Sequence, residues 1–196
     1  LKRHNISPGT RIVSYLGTIE ERKNPMAVLK VAEKLKERHD LHFILAGRGD
    51  SAYSQEVDGM ARSLPNVTYM GEIDEKEKVQ LIKVSYLNIL MSRLEALGIA
   101  QLEFMYCGVP VITSAIGGQS WVVQDGVEGL HVRGADDIDG ACNAIIQLLE
   151  NDNKYSQMSA NAQKKAINLT ITRLAGELDA AIEIEMMKEW QETWGY

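Results

Sequence analysis

The sequence predicts an α/β fold: a doubly wound, largely parallel sheet. Three observations lead there. Short apolar runs rich in β-branched residues alternate with longer amphipathic ones along most of the chain. The apolar runs stop at glycine-bearing turns, as at Gly17, Gly47 and Gly71. Single helices between consecutive strands also imply right-handed crossovers, the connection that parallel strands require.

Residues 1–10 are polar and contain Pro8-Gly9, the composition of a linker leading into a domain. Arg11–Leu16 is the first strand, ending at Gly17. The first helix starts at Asn24-Pro25, with Asn as N-cap and Pro at the first helical position, and runs to about Arg38. Met26, Leu29, Val31, Ala32 and Leu35 form its apolar face. His42–Ala46 is the second strand, closed by Gly47-Arg48-Gly49-Asp50. Ser54–Leu64 is a weaker helix, and Val67–Met70 a short strand ending at Gly71. Asp74 with Glu77 three residues later is a capping-box pattern that opens a helix to Val84. Leu87–Met91 is a buried strand, Ser92–Gly98 the loop leaving it, and Ile99–Cys107 the helix that follows. Strands at Val109–Thr113 and Gly129–Val132 continue the alternation. Helices at Asp137–Leu149, Lys154–Ile167 and Thr172–Trp190 finish it. No repeat or low-complexity run interrupts residues 11–170, which read as one domain, and residues 171–196 read as a C-terminal helix.

Composition bounds the function. The chain has 196 residues, 45% hydrophobic and 24% charged, enough for one large domain with its own core. A net charge of −6 argues against nucleic acid as the main partner, so any bound phosphate needs a local site. Cys107 and Cys142 lack CxxC spacing, and His4, His39, His42 and His131 lack ligand spacing, so no metal site is expected. The sequence holds no signal peptide and no apolar run long enough to cross a bilayer. Leu1 stands in place of an initiator methionine, which predicts a piece of a longer chain.

The richest stretch is 92–118. Glu95 and Glu103 bracket a strand-loop-helix junction with Gly98 between them. Ligands of open parallel sheets sit at the carboxyl ends of strands, where such loops collect. Amides near Leu97, Gly98 and Ile99 are left without helical partners and suit a phosphate. Glu95 falls in the loop and Glu103 about one turn inside the helix, both expected to face one crevice. Glutamates on a helix face are otherwise simply solvated.

This segment resembles the signature of retaining, nucleotide-sugar-dependent glycosyltransferases of the GT-B fold, in glycosyltransferase family 4. Ser92, Glu95, Gly98, Glu103, Gly108, Pro110, Val111, Gly117 and Gly118 fall in register with that pattern. The resemblance runs from about Arg11 to the final helix and matches the C-terminal, donor-binding half of such an enzyme. It implies a Rossmann-like domain that binds a nucleoside diphosphate sugar, UDP- or GDP-linked, as substrate, with no further cofactor. Glu95 and Lys23 then carry the catalytic role, Glu95 holding sugar hydroxyls and Lys23 the diphosphate. Glu103 takes the ribose hydroxyls, and Gly17, Thr18, Gly47, Gly49, Ile73, Leu97, Gly98 and Ile99 line the nucleotide. The implied partner is an N-terminal acceptor-binding half, against which residues 171–196 would pack through Met186, Met187, Trp190 and Trp194. A cytoplasmic location follows, at the inner membrane face if the missing half binds it.

Each of these positions has a plainer reading. Lys23 sits in the loop 17–24, where a lysine serves a diphosphate or is merely exposed. The family places an arginine and then a lysine in this loop, five positions apart; here the arginine position is Thr18. Arg22 is the nearest substitute. Gly47 and Gly49 fit a close nucleotide or a strand-exit turn, and Ile73 a nucleobase shelf or the core. Gly117-Gly118 implies flexible backbone beside the sugar, and Trp121 stands where the family has a glutamate, to stack on a sugar or to pack. These departures leave a second reading open, a non-catalytic GT-B-like module acting as partner or scaffold. A dinucleotide dehydrogenase is disfavoured, because Gly17 stands alone after the first strand.

Overall fold

A computed structural model describes residues 6–169. Its strands are β1 (Arg11–Leu16), β2 (Leu41–Ala46), β3 (Val67–Tyr69), β4 (Ser85–Leu90), β5 (Val111–Thr113) and β6 (Gly129–His131). Its helices are α1 (Pro25–Lys34), α2 (Ala52–Ser63), α3 (Glu75–Val84), α4 (Ile99–Tyr106), α5 (Gln119–Val122), α6 (Ile138–Leu149) and α7 (Asp152–Asn168). The six strands form one parallel sheet in the order β3-β2-β1-β4-β5-β6. The chain builds outward from β1 to β3, then returns to lay β4 on the other side of β1. That reversal opens a crevice at the carboxyl ends of β1 and β4.

The interior strands are mostly apolar on both faces, as a covered parallel sheet demands. Among their buried polar side chains, Ser14 Oγ pairs with Ser85 Oγ at 2.6 Å and the Asn88 amide donates to Ser14 O at 2.9 Å. Val13 and Tyr15 of β1 face a core shared with Phe43, Leu45, Leu87 and Ile89, covered by α1, α2 and α6. Ile12 faces the other way, onto Ile44, Ala46 and Leu81 of α3. On that second face Phe104 of α4 meets Ile82 and Val109, while Met105 meets Val122, Ala162 and Ala166.

Several element ends differ from the sequence reading, each for a local reason. α1 stops at Lys34 rather than Arg38, because the amides of Lys36 and Arg38 turn back onto Glu33 and Leu35. Asn24 and Pro25 take the N-cap and first helical positions as expected, but with a left-handed backbone (φ 52°) the Asn24 side chain makes no cap hydrogen bond and donates to Ala135 O instead. α2 begins at Ala52 rather than Ser54, because Ser51 forms a reciprocal capping box with Ser54. β4 starts at Ser85, two residues before the expected Leu87, and α7 starts at Asp152, capped by Asn151. The short α5 was not anticipated. The Asp74–Glu77 capping box forms as expected, with the Glu77 amide 2.7 Å from Asp74 Oδ1. Ile6, in the segment read as a linker, is 7% exposed and packs with Ile12 and Ile44. The helix expected over Thr172–Trp190 lies outside the described residues. No described helix is long and apolar enough to cross a membrane.

Candidate functional site

At the crevice, backbone stitches the strand exits together. The Gly17 amide donates to Ala46 O at 3.1 Å, the Gly47 amide to Gly71 O at 2.8 Å, and the Ile19 amide to Arg48 O at 2.8 Å. A side chain at Gly47 would put its Cβ 1.7 Å from the carbonyl oxygen of Gly17, so bare backbone is compulsory there. A Cβ at Gly49 would fall 2.5 Å from Ser54 Cβ and 2.7 Å from Ile19 Cβ. Both glycines therefore serve loop-to-loop packing, whatever else passes over them.

The two loops that face each other across the switch point each supply one partner of an ion pair. Lys23 donates its ammonium to Glu95 Oε2, and Glu95 Oε1 accepts the Ala96 amide at 3.1 Å. The side chains are 17% and 6% exposed, so Lys23 is not the free surface lysine of the plainer reading. Its neighbours fix its place. The Arg93 amide donates to Arg22 O at 2.8 Å, tying one loop to the other. Asn24 is buried and donates its side-chain amide to Ala135 O at 2.7 Å and to Asp136 Oδ1 at 3.3 Å. Asp136 in turn takes both arms of the Arg93 guanidinium, at 2.6 and 2.7 Å. That guanidinium, helped by Asn24, holds the Asp136 carboxyl below the usual aspartate range. Sequence reasoning missed Asn24, Arg93 and Asp136 as site supports. An Asn before Pro reads as a helix cap, and the partners lie far along the chain.

Gly98 is the N-cap of α4 in the left-handed region (φ 75°), and a Cβ there would fall 2.5 Å from Gln101 Oε1. The amides of Leu97, Gly98, Ile99 and Ala100 donate to nothing among the described residues, leaving four donors at a helix start. The side chains of Leu97 and Ile99 are 37% and 67% exposed. Gly117 and Gly118 back onto this loop. Cβ atoms there would lie 2.1 Å from Glu95 O and 1.8 Å from Ala96 O, and the Gly118 amide donates to Glu95 O at 3.1 Å. The pair is thus a close-packed brace behind Glu95 rather than loose backbone. Trp121, on α5, is 58% exposed, so it is not a core residue.

Glu103 stands in the second turn of α4, where the sequence put it, but with an unforeseen partner. Lys78 of α3 donates to Glu103 Oε1 at 2.7 Å and to Glu75 Oε2 at 2.9 Å. Ile73 packs on the cluster of Ile6, Ile12, Ile44 and Leu81 with part of its surface left free. At the exit of β1, Glu20 Oε1 accepts the Thr18 hydroxyl at 2.8 Å and Arg22 Nη2 at 2.6 Å, while Arg22 Nη1 reaches Leu94 O at 3.3 Å. The Thr18 hydroxyl first, and the Arg22 charge after it, lower the Glu20 pKa. Thr18 brings no cation, yet Arg22 brings one to the same loop mouth. Buried Tyr15 supports the loop from below, its hydroxyl on Thr18 O at 2.7 Å, and burial pushes that phenol well above its ordinary range.

Residues 1–165 match the family model described as Glycosyl transferases group 1. The chain belongs to this family. Among group 1 glycosyl transferases, D-inositol 3-phosphate glycosyltransferase of Corynebacterium diphtheriae is 27% identical over 179 residues, covering 87% of this chain and 42% of that protein. The crystal structure of HepE from Anabaena, in complex with UDP and glucose, superposes with a TM-score of 0.80 at 19% identity, over 93% of this chain and 50% of that one. The C-terminal domain of a group 1 family protein, LpcC from Francisella tularensis, superposes at 0.74 and 17% identity, over 83% of this chain and 87% of that domain. The parallel sheet is therefore the Rossmann-like fold seen in GT-B glycosyltransferase structures. The chain spans less than half the length of the curated relative and about half of HepE.

Proposed function

We propose that this chain is the donor-binding half of a retaining glycosyltransferase that moves a hexose-type sugar from a UDP- or GDP-linked donor to a glycan or lipid-linked acceptor. The observation that carries the reading is the Lys23–Glu95 pair set beside the four free amides at the start of α4. Each partner in that pair can be taken over by one part of a nucleotide sugar. The diphosphate takes Lys23 and the amides of Leu97, Gly98 and Ile99. The sugar hydroxyls donate to the Glu95 carboxylate, and the ribose hydroxyls to Glu103. The exits at Gly17, Thr18, Gly47 and Gly49 wall the nucleotide, with Ile73 beneath the base.

In transfer, the bond between the anomeric carbon and the diphosphate oxygen breaks, and the acceptor hydroxyl oxygen bonds to that carbon on the same face. The acceptor proton passes to the departing phosphate oxygen, and nucleoside diphosphate leaves. Charge builds on the leaving group, where a fixed cation and fixed amides lower the barrier without reorganising. The reading assigns this charge to Lys23 and backbone rather than to a divalent ion or other cofactor. Glu95 and Glu103 orient hydroxyls and are not an acid-base pair. The acceptor comes from an N-terminal half, in a cytoplasmic protein that reaches the inner membrane face through that half.

Calorimetric titration with UDP, GDP and ADP, repeated on Glu103→Ala, tests the reading. One nucleotide binds saturably, and the substitution weakens it about tenfold, the loss of a charge-assisted hydrogen bond. No binding to a folded domain would shift the reading to a non-catalytic module, with Thr18 and Trp121 as its marks. Robust sugar transfer by this chain alone would overturn the half-enzyme assignment.

A further inference from the structure

We infer that Lys78 is a positioning residue: it holds one oxygen of Glu103 and leaves the other for a vicinal diol, so that the site takes ribonucleotides over 2′-deoxyribonucleotides. The inference rests on the proposed reading of Glu103 as the ribose ligand. Its support is geometric. Lys78 Nζ donates to Glu103 Oε1 at 2.7 Å, while Oε2 has no hydrogen-bond partner among the described residues. The lysine side chain is 21% exposed and Glu103 34%, so this pair is half-sheltered; the second partner, Glu75, is 85% exposed and adds little.

The lysine itself is anchored. It follows the Asp74–Glu77 capping box directly, and its amide donates to Asp74 O at 2.8 Å, so its backbone belongs to a locked first turn of α3. The aliphatic stem then crosses to α4. α3 follows the exit of β3 and α4 the exit of β4, so the contact fixes the helix beside Ile73 to the helix that presents the free amides.

The chemistry follows from acceptor arithmetic. A carboxylate only accepts, and two adjacent hydroxyls are the complementary donors. With Oε1 held, the carboxylate plane cannot swing into water, and a ligand lacking the 2′-hydroxyl leaves an oriented acceptor half-satisfied. Sites built around a hydroxyl reject the analogue that lacks it for this reason. Without Lys78, Glu103 rotates to solvent and meets either sugar equally.

The test is titration of UDP and 2′-deoxy-UDP, with GDP and 2′-deoxy-GDP as the second pair, into wild type, Lys78→Met, Lys78→Arg and Glu103→Ala. Thermal unfolding of each is recorded alongside. Wild type prefers the ribonucleotide about tenfold or more, as one charge-assisted hydrogen bond allows. Lys78→Met brings the ratio within about twofold while its Tm stays within a few degrees, as for a half-exposed pair. Lys78→Arg restores most of the preference. A Lys78→Met variant that keeps the full preference, while Glu103→Ala loses it, overturns this inference and leaves the donor-binding reading standing. Wild type that binds none of the four nucleotides overturns both.

Discussion

Lys23 and Glu95 lie 72 residues apart in sequence, yet their charged ends meet where β1 and β4 finish. Glu95 is 6% exposed, so the lysine is what makes a carboxylate tolerable there. Replacing Lys23 with Met strands that charge and destabilises the domain by on the order of 3 kcal/mol. Lys23→Met/Glu95→Gln removes both charges together and regains most of the loss. Urea unfolding of wild type, both single variants and the double variant measures this coupling. Additive losses would mean the pair does not act as a unit.

Asn24 has two separable jobs: a left-handed backbone (φ 52°) and a buried side chain on Ala135 O at 2.7 Å. Asn24→Gly keeps the first and loses the second; Asn24→Ala loses both. The alanine variant is expected to be about 1 kcal/mol less stable than the glycine variant, the cost of left-handed backbone for a residue with a Cβ. Both lose roughly 1–2 kcal/mol for the missing hydrogen bond and the orphaned carbonyl. Unfolding midpoints that rank alanine above glycine would contradict this division. Because Lys23 precedes Asn24 directly, both variants should also weaken nucleotide binding more than distant substitutions of equal stability cost.

Asn24 also marks the limit of what sequence discloses. Strand alternation, the Asp74–Glu77 box and Gly98 at a helix start depend on neighbours a few residues away, and all three were legible. Glu95, Glu103 and Lys23 were legible as residue types at a strand-loop-helix junction. Their pairings were not: Glu103 meets Lys78 across 25 residues, and Asn24 meets Ala135 across 111. A local reading makes Asn24 a helix cap, and a long-range hydrogen bond overrides it. α5 spans four residues, too few for an amphipathic period to show. The brace formed by Gly117 and Gly118 depends on how close another loop passes, which no single stretch encodes.

Glu20 occupies donors that an incoming phosphate could use. Its Oε1 accepts the Thr18 hydroxyl and the Arg22 guanidinium, while Arg22 also grips Leu94 O one residue before Glu95. Glu20→Gln removes the competing negative charge and frees the guanidinium. The expected outcome is tighter nucleoside diphosphate binding, by a factor of about two to five, the worth of an exposed ion pair. Nucleoside monophosphate should gain less, because it brings less charge to the loop. Raising salt should shrink the difference between wild type and variant, as exposed charges are screened. Weaker binding in the variant would assign Glu20 a supporting role instead.

Acid should loosen the segment that holds Asn24. Asp137 caps α6, with Oδ2 on the Arg133 amide and Oδ1 on the Gly140 amide, both at 3.0 Å. Those two amides lower its pKa, Arg133 first, and the Arg93 guanidinium lowers that of Asp136 beside it. Both carboxyls are therefore harder to protonate in the folded state than in the unfolded one. Their contribution is full above the unfolded aspartate value of about 3.9 and disappears as pH falls through the lower folded values. Asp137→Asn keeps a cap acceptor but cannot titrate. At about pH 6 the variant is less stable than wild type; the two unfolding curves begin to converge as pH falls below the unfolded aspartate value of about 3.9 and meet only once pH has passed through the lowered folded value of Asp137. Denaturant midpoints taken at half-unit pH steps measure the convergence. An offset that stays constant over the whole range would show that the aspartate stabilises α6 by geometry alone, with no share from its charge.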